Sequence, residues 1–513
     1  MFLGFRARAF QESGIVQDVY REAFKGTSLF AGVQIFQILI SLLRGKFVAL
    51  FLGAEGMGIS GLYTSSLSML VTVAGLGCSL SAVRYISGLE KDGASFWRNI
   101  RAIKGIFITV SFFGLLLTVA LAFPLSAGSF RNSSYITRYM VLSLYVFFSL
   151  YSQGLSSIMQ GMQELRTIAL GNIIPSAVSV AISLPLYFFM HEKAIVPTLI
   201  LLPLLNSVYF EAAVRGKLRL HKENTNTFCF GESFALFKDF VSLGIVTVFA
   251  TLLGNVSLYL LNSVISRYGS FSDIGLYQAG NSITNQCIGL IFSAMSMEYF
   301  PRLSAIITDK DKMNETVNKQ GEIVVLLAFP LLSVLMLSAS VLIRVLLSDE
   351  FQPVKNFIRI ISLGMLFKVA SFPIGYISFA AGDKMSYFFL EGIYGNVMTL
   401  VLGYVGYRTG GLKGLAYSFL VNYMLYLAVI SLFVRAKYLF RISASYFRLV
   451  VCSVCLLSGL FFVLRLDSPW GCLAAVAMSI LYAAFSLCLL EKRTSVLRSV
   501  RNRFLKKGRD GTV

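Results

Sequence analysis

Residues 26–53 read GTSLFAGVQIFQILISLLRGKFVALFLG, an apolar run that carries two cations, Arg44 and Lys46. A cation near the centre of a bilayer costs roughly 2.5–3.5 kcal/mol on insertion scales. Gln34, Gln37, Ser41 and Arg44 fall three or four residues apart, so on a helix they share one face. A polar stripe ending in an arginine cannot face lipid and must face a protein interior or a watery cavity. The guanidinium fork suits a phosphate or carboxylate, and the amides suit hydroxyls. Two blander outcomes are an Arg44 paired with a neighbouring helix and a Lys46 that snorkels outward. The stripe favours a cavity that handles an anion.

Similar features recur in the second half. Thr251, Asn255 and Asn262 lie along one apolar segment, and Arg267 closes it. Gln278, Asn281 and Asn285 share a face of the next, with Gln286 beside them. Any one such amide can be a helix–helix hydrogen bond, but two long polar faces in succession suggest a lined cavity. Lys368 sits near the middle of LGMLFKVASFPIGYISFAAG, too deep to snorkel cheaply, with Pro373 and Gly375 marking an expected bend. A structural pair with Glu211 or Glu391 is the alternative. Covalent chemistry has few candidates. The two histidines, His191 and His221, fall outside the apolar segments, and neither paired carboxylates nor a Gly-rich phosphate loop is present. We therefore expect no catalytic residue, no metal and no cofactor.

The elements that must position these groups are membrane helices. The chain has 513 residues, 56% hydrophobic and 14% charged. Soluble proteins carry about 25% charged residues. Approximately fourteen spans can be drawn: 26–53, 59–83, 103–124, 138–160, 167–190, 194–214, 239–265, 273–297, 321–345, 355–381, 385–407, 412–434, 447–465 and 469–490. The fold class is all-α polytopic membrane protein, and no loop is long enough for a soluble catalytic domain. The net charge of +20 does not indicate nucleic acid, because the basic residues lie in short segments between spans. With the N-terminus inside, about 32 of the 45 Lys and Arg fall on the inner side, which predicts both termini in the cytoplasm. The tail EKRTSVLRSVRNRFLKKGRD fits topology and attraction to anionic lipid. Residues 1–25 hold four basic residues but no signal-peptide core. Cys452 and Cys455 form a CxxC inside an apolar run, where small buried residues are a better reading than a redox or zinc site.

A repeat organises the spans. Gly61-Leu62-Tyr63 returns as Gly275-Leu276-Tyr277, and Arg84-Tyr85 finds Glu298-Tyr299 at the same offset. This gives an N-terminal half at 1–230, a C-terminal half at 231–440, and an addition at 441–513 with spans 13 and 14. Two six-helix halves of like orientation suit transport by alternating access.

The stretch LLRGKFVALFLGAEGMGISGLY, followed by AGLGCSLSAVRYIS, resembles the opening of bacterial polysaccharide flippases. These are the O-antigen (Wzx-type) translocases of the multidrug/oligosaccharidyl-lipid/polysaccharide exporter superfamily. The likeness rests on an arginine late in the first span, a leucine-glycine, a glycine-rich turn and a Gly-Leu-Tyr. It covers about 65 residues, and the fourteen spans in two halves extend it. It implies translocation of an undecaprenyl-diphosphate-linked oligosaccharide to the periplasmic face of the inner membrane, with an ion gradient as energy source. Other polysaccharide assembly proteins would be partners. Arg44 and Arg84 match basic positions of that pattern. Lys368 and Arg267 are added from depth and position as further diphosphate contacts. Gln34, Gln37, Ser41, Asn255, Asn262, Gln278, Asn281 and Asn285 would line the cavity. Rival readings are a lipid II flippase, a multidrug exporter of the same superfamily, and a membrane-embedded polymerase or ligase. The last would want a large outer loop with catalytic groups, which the chain lacks.

Overall fold

The computed structural model describes residues 2–89, 94–130, 135–220, 230–466 and 468–494. Their side chains are described from residue 32 onward, apart from 220–247 and a few single positions. The N-terminal arginines, the first residues of the opening span and the basic tail from 495 lie outside that set. The described residues form helices α1 (Phe2–Gly75), α2 (Cys78–Ser87), α3 (Ala94–Ala120), α4 (Ala122–Phe130), α5 (Ile136–Gly161), α6 (Leu165–Met190), α7 (Ile195–Leu220) and α8 (Phe230–Tyr268). They continue as α9 (Phe271–Ile306), α10 (Lys310–Leu346), α11 (Val354–Ala380), α12 (Lys384–Tyr387), α13 (Gly395–Tyr438), α14 (Ala444–Arg465) and α15 (Pro469–Thr494). Among the described residues there is no strand.

The protein is an all-α polytopic membrane protein. Ten stretches of the described residues are long and apolar enough to cross a bilayer. Three of them, Gly32–Gly75, Leu165–Arg219 and Met385–Tyr438, each contain two of the expected spans. With those taken as pairs, and the more polar α9 added, the fourteen spans are accounted for.

The joints differ from the loops the sequence suggests. Spans 1 and 2 are joined by a bend at one residue, Gly53, with φ 66° and ψ −166°. A left-handed φ without a Cβ penalty is available only to glycine, and a Cβ there would come 2.7 Å from Glu350 Oε2. The two legs of α13 turn in the same way at Gly410 and Gly411, where Gly411 has φ 56°. Span 2 is not continuous to residue 83. It breaks at Leu76 and Gly77, both with positive φ, and restarts as α2. At Pro373, where a bend was expected, α11 stays helical. Nearby carbonyls find donors in other helices: Tyr446 Oη donates to Ala370 O at 2.6 Å and Tyr299 Oη to Pro373 O at 3.0 Å. In a bilayer such groups need partners within the protein.

The chain divides into two compact units, Met1–Leu52 with Tyr63–Asn255, and Gly53–Leu62 with Val256–Val513. In the first, α5 packs against α3 and α7. Tyr63 is fully buried and meets Tyr139 edge-on at 5.3 Å, near the start of α5. In the second, α11 is the central helix, packed by α9, α10, α13 and α14. There Tyr277 meets Phe357 edge-on at 5.9 Å, near the start of α11. The tyrosines of the two Gly-Leu-Tyr triplets thus each meet a ring near the start of a long helix, α5 in one unit and α11 in the other. Arg359, inside the tenth span, is 6% exposed and donates to Leu464 O at the end of α14, where a cation complements the helix dipole.

Between α11 and α12, Asp383 accepts hydrogen bonds from Ser386 N at 3.2 Å, Ser386 Oγ at 2.8 Å and Tyr438 Oη at 2.7 Å, and pairs with Lys437. The Lys437 ammonium, with the Tyr438 and Ser386 donors, holds its carboxyl well below the usual carboxylate range. A depressed folded pKa gives stability above the unfolded value of about 3.9 and loses it as pH falls below. Asp383→Asn is expected to cost about 1 kcal/mol at neutral pH, a small figure because Lys437 is half exposed. Thermal unfolding in detergent checks this; an unchanged midpoint would contradict it.

Candidate functional site

The first unit contains a cavity of about 410 Å³. Its walls come from α1, the Leu76–Gly77 break, α2, α5 and α8. Ser68 and Thr72 lie a turn apart on α1, and Tyr145, Ser149 and Gln153 lie at successive turns of α5. Thr251 and Asn255 close the cavity from α8. Asn255 Nδ2 donates to Thr72 Oγ1 at 2.8 Å and to Ser68 O at 3.4 Å, while Gln153 Nε2 donates to Ser149 Oγ at 3.3 Å. A helix broken inside the membrane exposes backbone polar groups, which is tolerated where the break lines a cavity.

Arg44 supplies the charge. It stands close enough to the Tyr145 hydroxyl to act on it electrostatically. It lies about 14 Å along α1 from the Gly53 bend, and Tyr145 lies about 14 Å along α5 from its start. Among the described residues no carboxylate pairs with Arg44, and none lines the cavity. The described lining therefore offers hydroxyls and amides, and Arg44, unpaired with any carboxylate among the described residues, adds a guanidinium within electrostatic reach of Tyr145. That chemistry binds an anion with hydroxyl-bearing neighbours.

The other expected site residues are spread through the molecule. Gln34 and Ser41 are exposed and Gln37 is half-buried. Arg84 is exposed in the last turn of α2, and Arg267 is exposed in the last turn of α8. Asn262 does not line an open cavity. It has no exposed surface, because its face of α8 turns into the packing. Gln278 lies against Gly61, and Asn285 Nδ2 donates to Asn281 Oδ1 at 2.7 Å, both amides being half-exposed. Lys368 is half-buried in the second unit between aromatic rings. Of its two expected partners, Glu211 is occupied in the first unit by Lys104 at 2.6 Å, Tyr151 and Arg215, whereas Glu391 stands within electrostatic reach of the Lys368 ammonium. Tyr145, Ser149, Gln153 and Thr72 were missed. Their turn-by-turn spacing on α5 and α1 was the available signal.

The family model described as polysaccharide biosynthesis protein matches residues 23–307, more than half of the chain. The chain belongs to the polysaccharide biosynthesis protein family. That match contains Arg44 and every residue lining the cavity. The chain is also 22% identical over 405 residues to the lipid III flippase of Escherichia coli (strain K12), spanning 78% of this chain and 95% of that protein. The lipid III flippase of Shigella flexneri matches equally. Among solved structures, the lipid II flippase MurJ in an inward closed conformation gives a TM-score of 0.69 at 16% identity, covering 90% of this chain and 99% of that one. An inward-facing multidrug resistance MATE family transporter of the MOP superfamily gives 0.65 at 16% identity, covering 80% and 98%. The chain shares its fold with these two proteins.

Water access to the polar faces is open to test. In protein whose exposed native cysteines are replaced, Asn255→Cys and Asn285→Cys are expected to react with a small aqueous thiol reagent. Ile283→Cys, 5% exposed in the wild type, should not. Equal labelling at all three would contradict a one-sided polar lining.

Proposed function

We propose that the protein is a flippase, not an enzyme, that moves a polyprenyl-diphosphate-linked oligosaccharide across the bacterial inner membrane. The observation that carries this reading is a polar cavity with no acid among its described lining residues and with Arg44 within electrostatic reach of its Tyr145, in a chain of this family. The polar head of such a lipid cannot cross hydrocarbon unaided. Arg44 would hold the diphosphate, and the Ser, Thr and amide groups would meet sugar hydroxyls. The polyprenyl tail would stay in lipid. A multidrug exporter fits less well, since a cationic cargo would want a carboxylate where the cavity has none among its described lining residues. An O-antigen-like repeat unit carried on undecaprenyl diphosphate is the specific cargo proposed, with an ion gradient driving alternating access of two six-helix halves. Other polysaccharide assembly proteins would receive the product.

The likeness to MurJ keeps lipid II as a second reading. Lipid analysis of cells lacking the protein separates the two. Accumulation of a lipid-linked repeat unit supports the proposal, and accumulation of lipid II supports the alternative. For orientation, both termini are assigned to the cytoplasm. A reporter active only in the periplasm, fused after Leu490 or at Val513, should stay silent, and activity there would contradict the even number of spans.

A further inference from the structure

We propose that the second unit carries a sugar-recognition site built on Lys368, Glu391 and Tyr426, with the rings of Tyr423 and Phe292 as its platform. This rests on the reading that the cargo is a lipid-linked oligosaccharide, and it assigns Lys368 to the sugar rather than to the diphosphate. Lys368 lies midway along α11. Its ammonium is 5.2 Å from the Tyr423 ring centroid and 6.0 Å from that of Phe292. Among the described residues it closes no ion pair within 4 Å. A purely structural cation at this depth would be locked to its counter-ion.

Glu391 is presented to the same space by an irregular stretch of helix. Residues Phe388–Tyr394 form a π-helical segment. Such segments are rare and concentrate at functional sites, because the wider turn re-aims side chains. Asn396 Nδ2 secures this one by donating to Glu391 O at 3.2 Å and Gly392 O at 2.8 Å. The Glu391 carboxylate accepts a hydrogen bond from Tyr426 Oη and rests against Gly375, where a Cβ would come 3.3 Å from Oε1. Gly375 and Lys368 are two turns apart on one face of α11, so acid and base border one space. Glu391 keeps exposed surface while Tyr426 and Gly375 hold its carboxyl in place.

The charge balance identifies the ligand. A carboxyl bordering the same space as the ammonium offsets its pull on a diphosphate, and repels one when ionised. The unit 1 cavity has the opposite character, with a guanidinium and no acid among its described lining. An ammonium with three donors, a carboxylate acceptor and a phenol instead match adjacent hydroxyls of a neutral hexose. The aromatic faces match its ring.

The test uses the purified full-length protein and two probes: undecaprenyl diphosphate, and the lipid-linked oligosaccharide extracted from cells that lack the protein. Wild type should bind the sugar-bearing lipid more tightly than the bare one. Glu391→Gln and Tyr426→Phe should each weaken the sugar-bearing lipid about tenfold and leave the bare lipid unchanged. Tyr426→Phe keeps the ring and guards against a folding defect in the Glu391 variant. Equal weakening of both lipids, or no weakening of either, would overturn the sugar site. If wild type bound neither lipid, the cargo assignment itself would fall, and the sugar site with it.

Discussion

Cells carrying Arg44→Ala are expected to export no surface polysaccharide while the protein still reaches the membrane in normal amount. Arg44 has no carboxylate partner among the described residues, so its loss strands no buried counter-charge. On the proposed reading, what is lost is one charge-assisted contact with the cargo diphosphate, worth about 1.5–3 kcal/mol, or roughly 10- to 150-fold in affinity. Arg44→Lys keeps the charge without the planar fork and should retain partial export. Surface polysaccharide and membrane abundance, measured in the same strains, decide the matter. Falling abundance would mean that Arg44 is structural, and normal export with alanine would remove it from cargo binding.

Gly275→Val is expected to do the reverse and remove the protein from the membrane. The start of α9 crosses the part of α1 that follows the Gly53 bend at backbone contact. A Cβ on Gly275 would come 2.0 Å from Ala54 O, and one on Gly58 would come 1.8 Å from Phe271 O. The obstacle in both cases is backbone, so no rotamer change relieves it. Overpacking costs typically 1–3 kcal/mol where the surroundings can shift, and this contact has little room to shift. Gly289→Val on the same helix has open space at its Cβ and serves as the control. Abundance measured by immunoblot of membranes should fall for Gly275→Val and Gly58→Val but not for Gly289→Val. Normal levels of all three would contradict the close crossing.

The helices were legible in the sequence because their apolar lengths match a bilayer, and a glycine-rich turn after the first span was legible too, but its reduction to a bend at Gly53 and the bend at Gly410 and Gly411 were not. Arg44 and Asn255 stood out because a cation or amide contrasts sharply with leucine and isoleucine. The α5 wall of the cavity did not. Tyr145, Ser149 and Gln153 share a face, but serine and tyrosine are common in membrane helices and packing decides whether they meet water. The Leu76–Gly77 break was hidden because nothing in VAGLGCS distinguishes a broken helix from a small-residue packing face. Asn262 misled for the matching reason: an amide on a helix looks the same in sequence whether it lines a cavity or sits sealed in packing. The π-helical segment at Glu391 depends on Asn396 and on tertiary contacts with α11 and α13, which no local pattern specifies.

The claim that this protein flips a lipid-linked oligosaccharide is tested most directly by asking which leaflet holds that lipid. Spheroplasts of cells lacking the protein are treated with periodate, which oxidises exposed sugars and does not cross the membrane. The lipid-linked oligosaccharide should be protected in those cells. It should become accessible when wild-type protein is expressed, and stay protected when Arg44→Ala is expressed. Full accessibility in cells without the protein would place its action after translocation and contradict the flippase assignment.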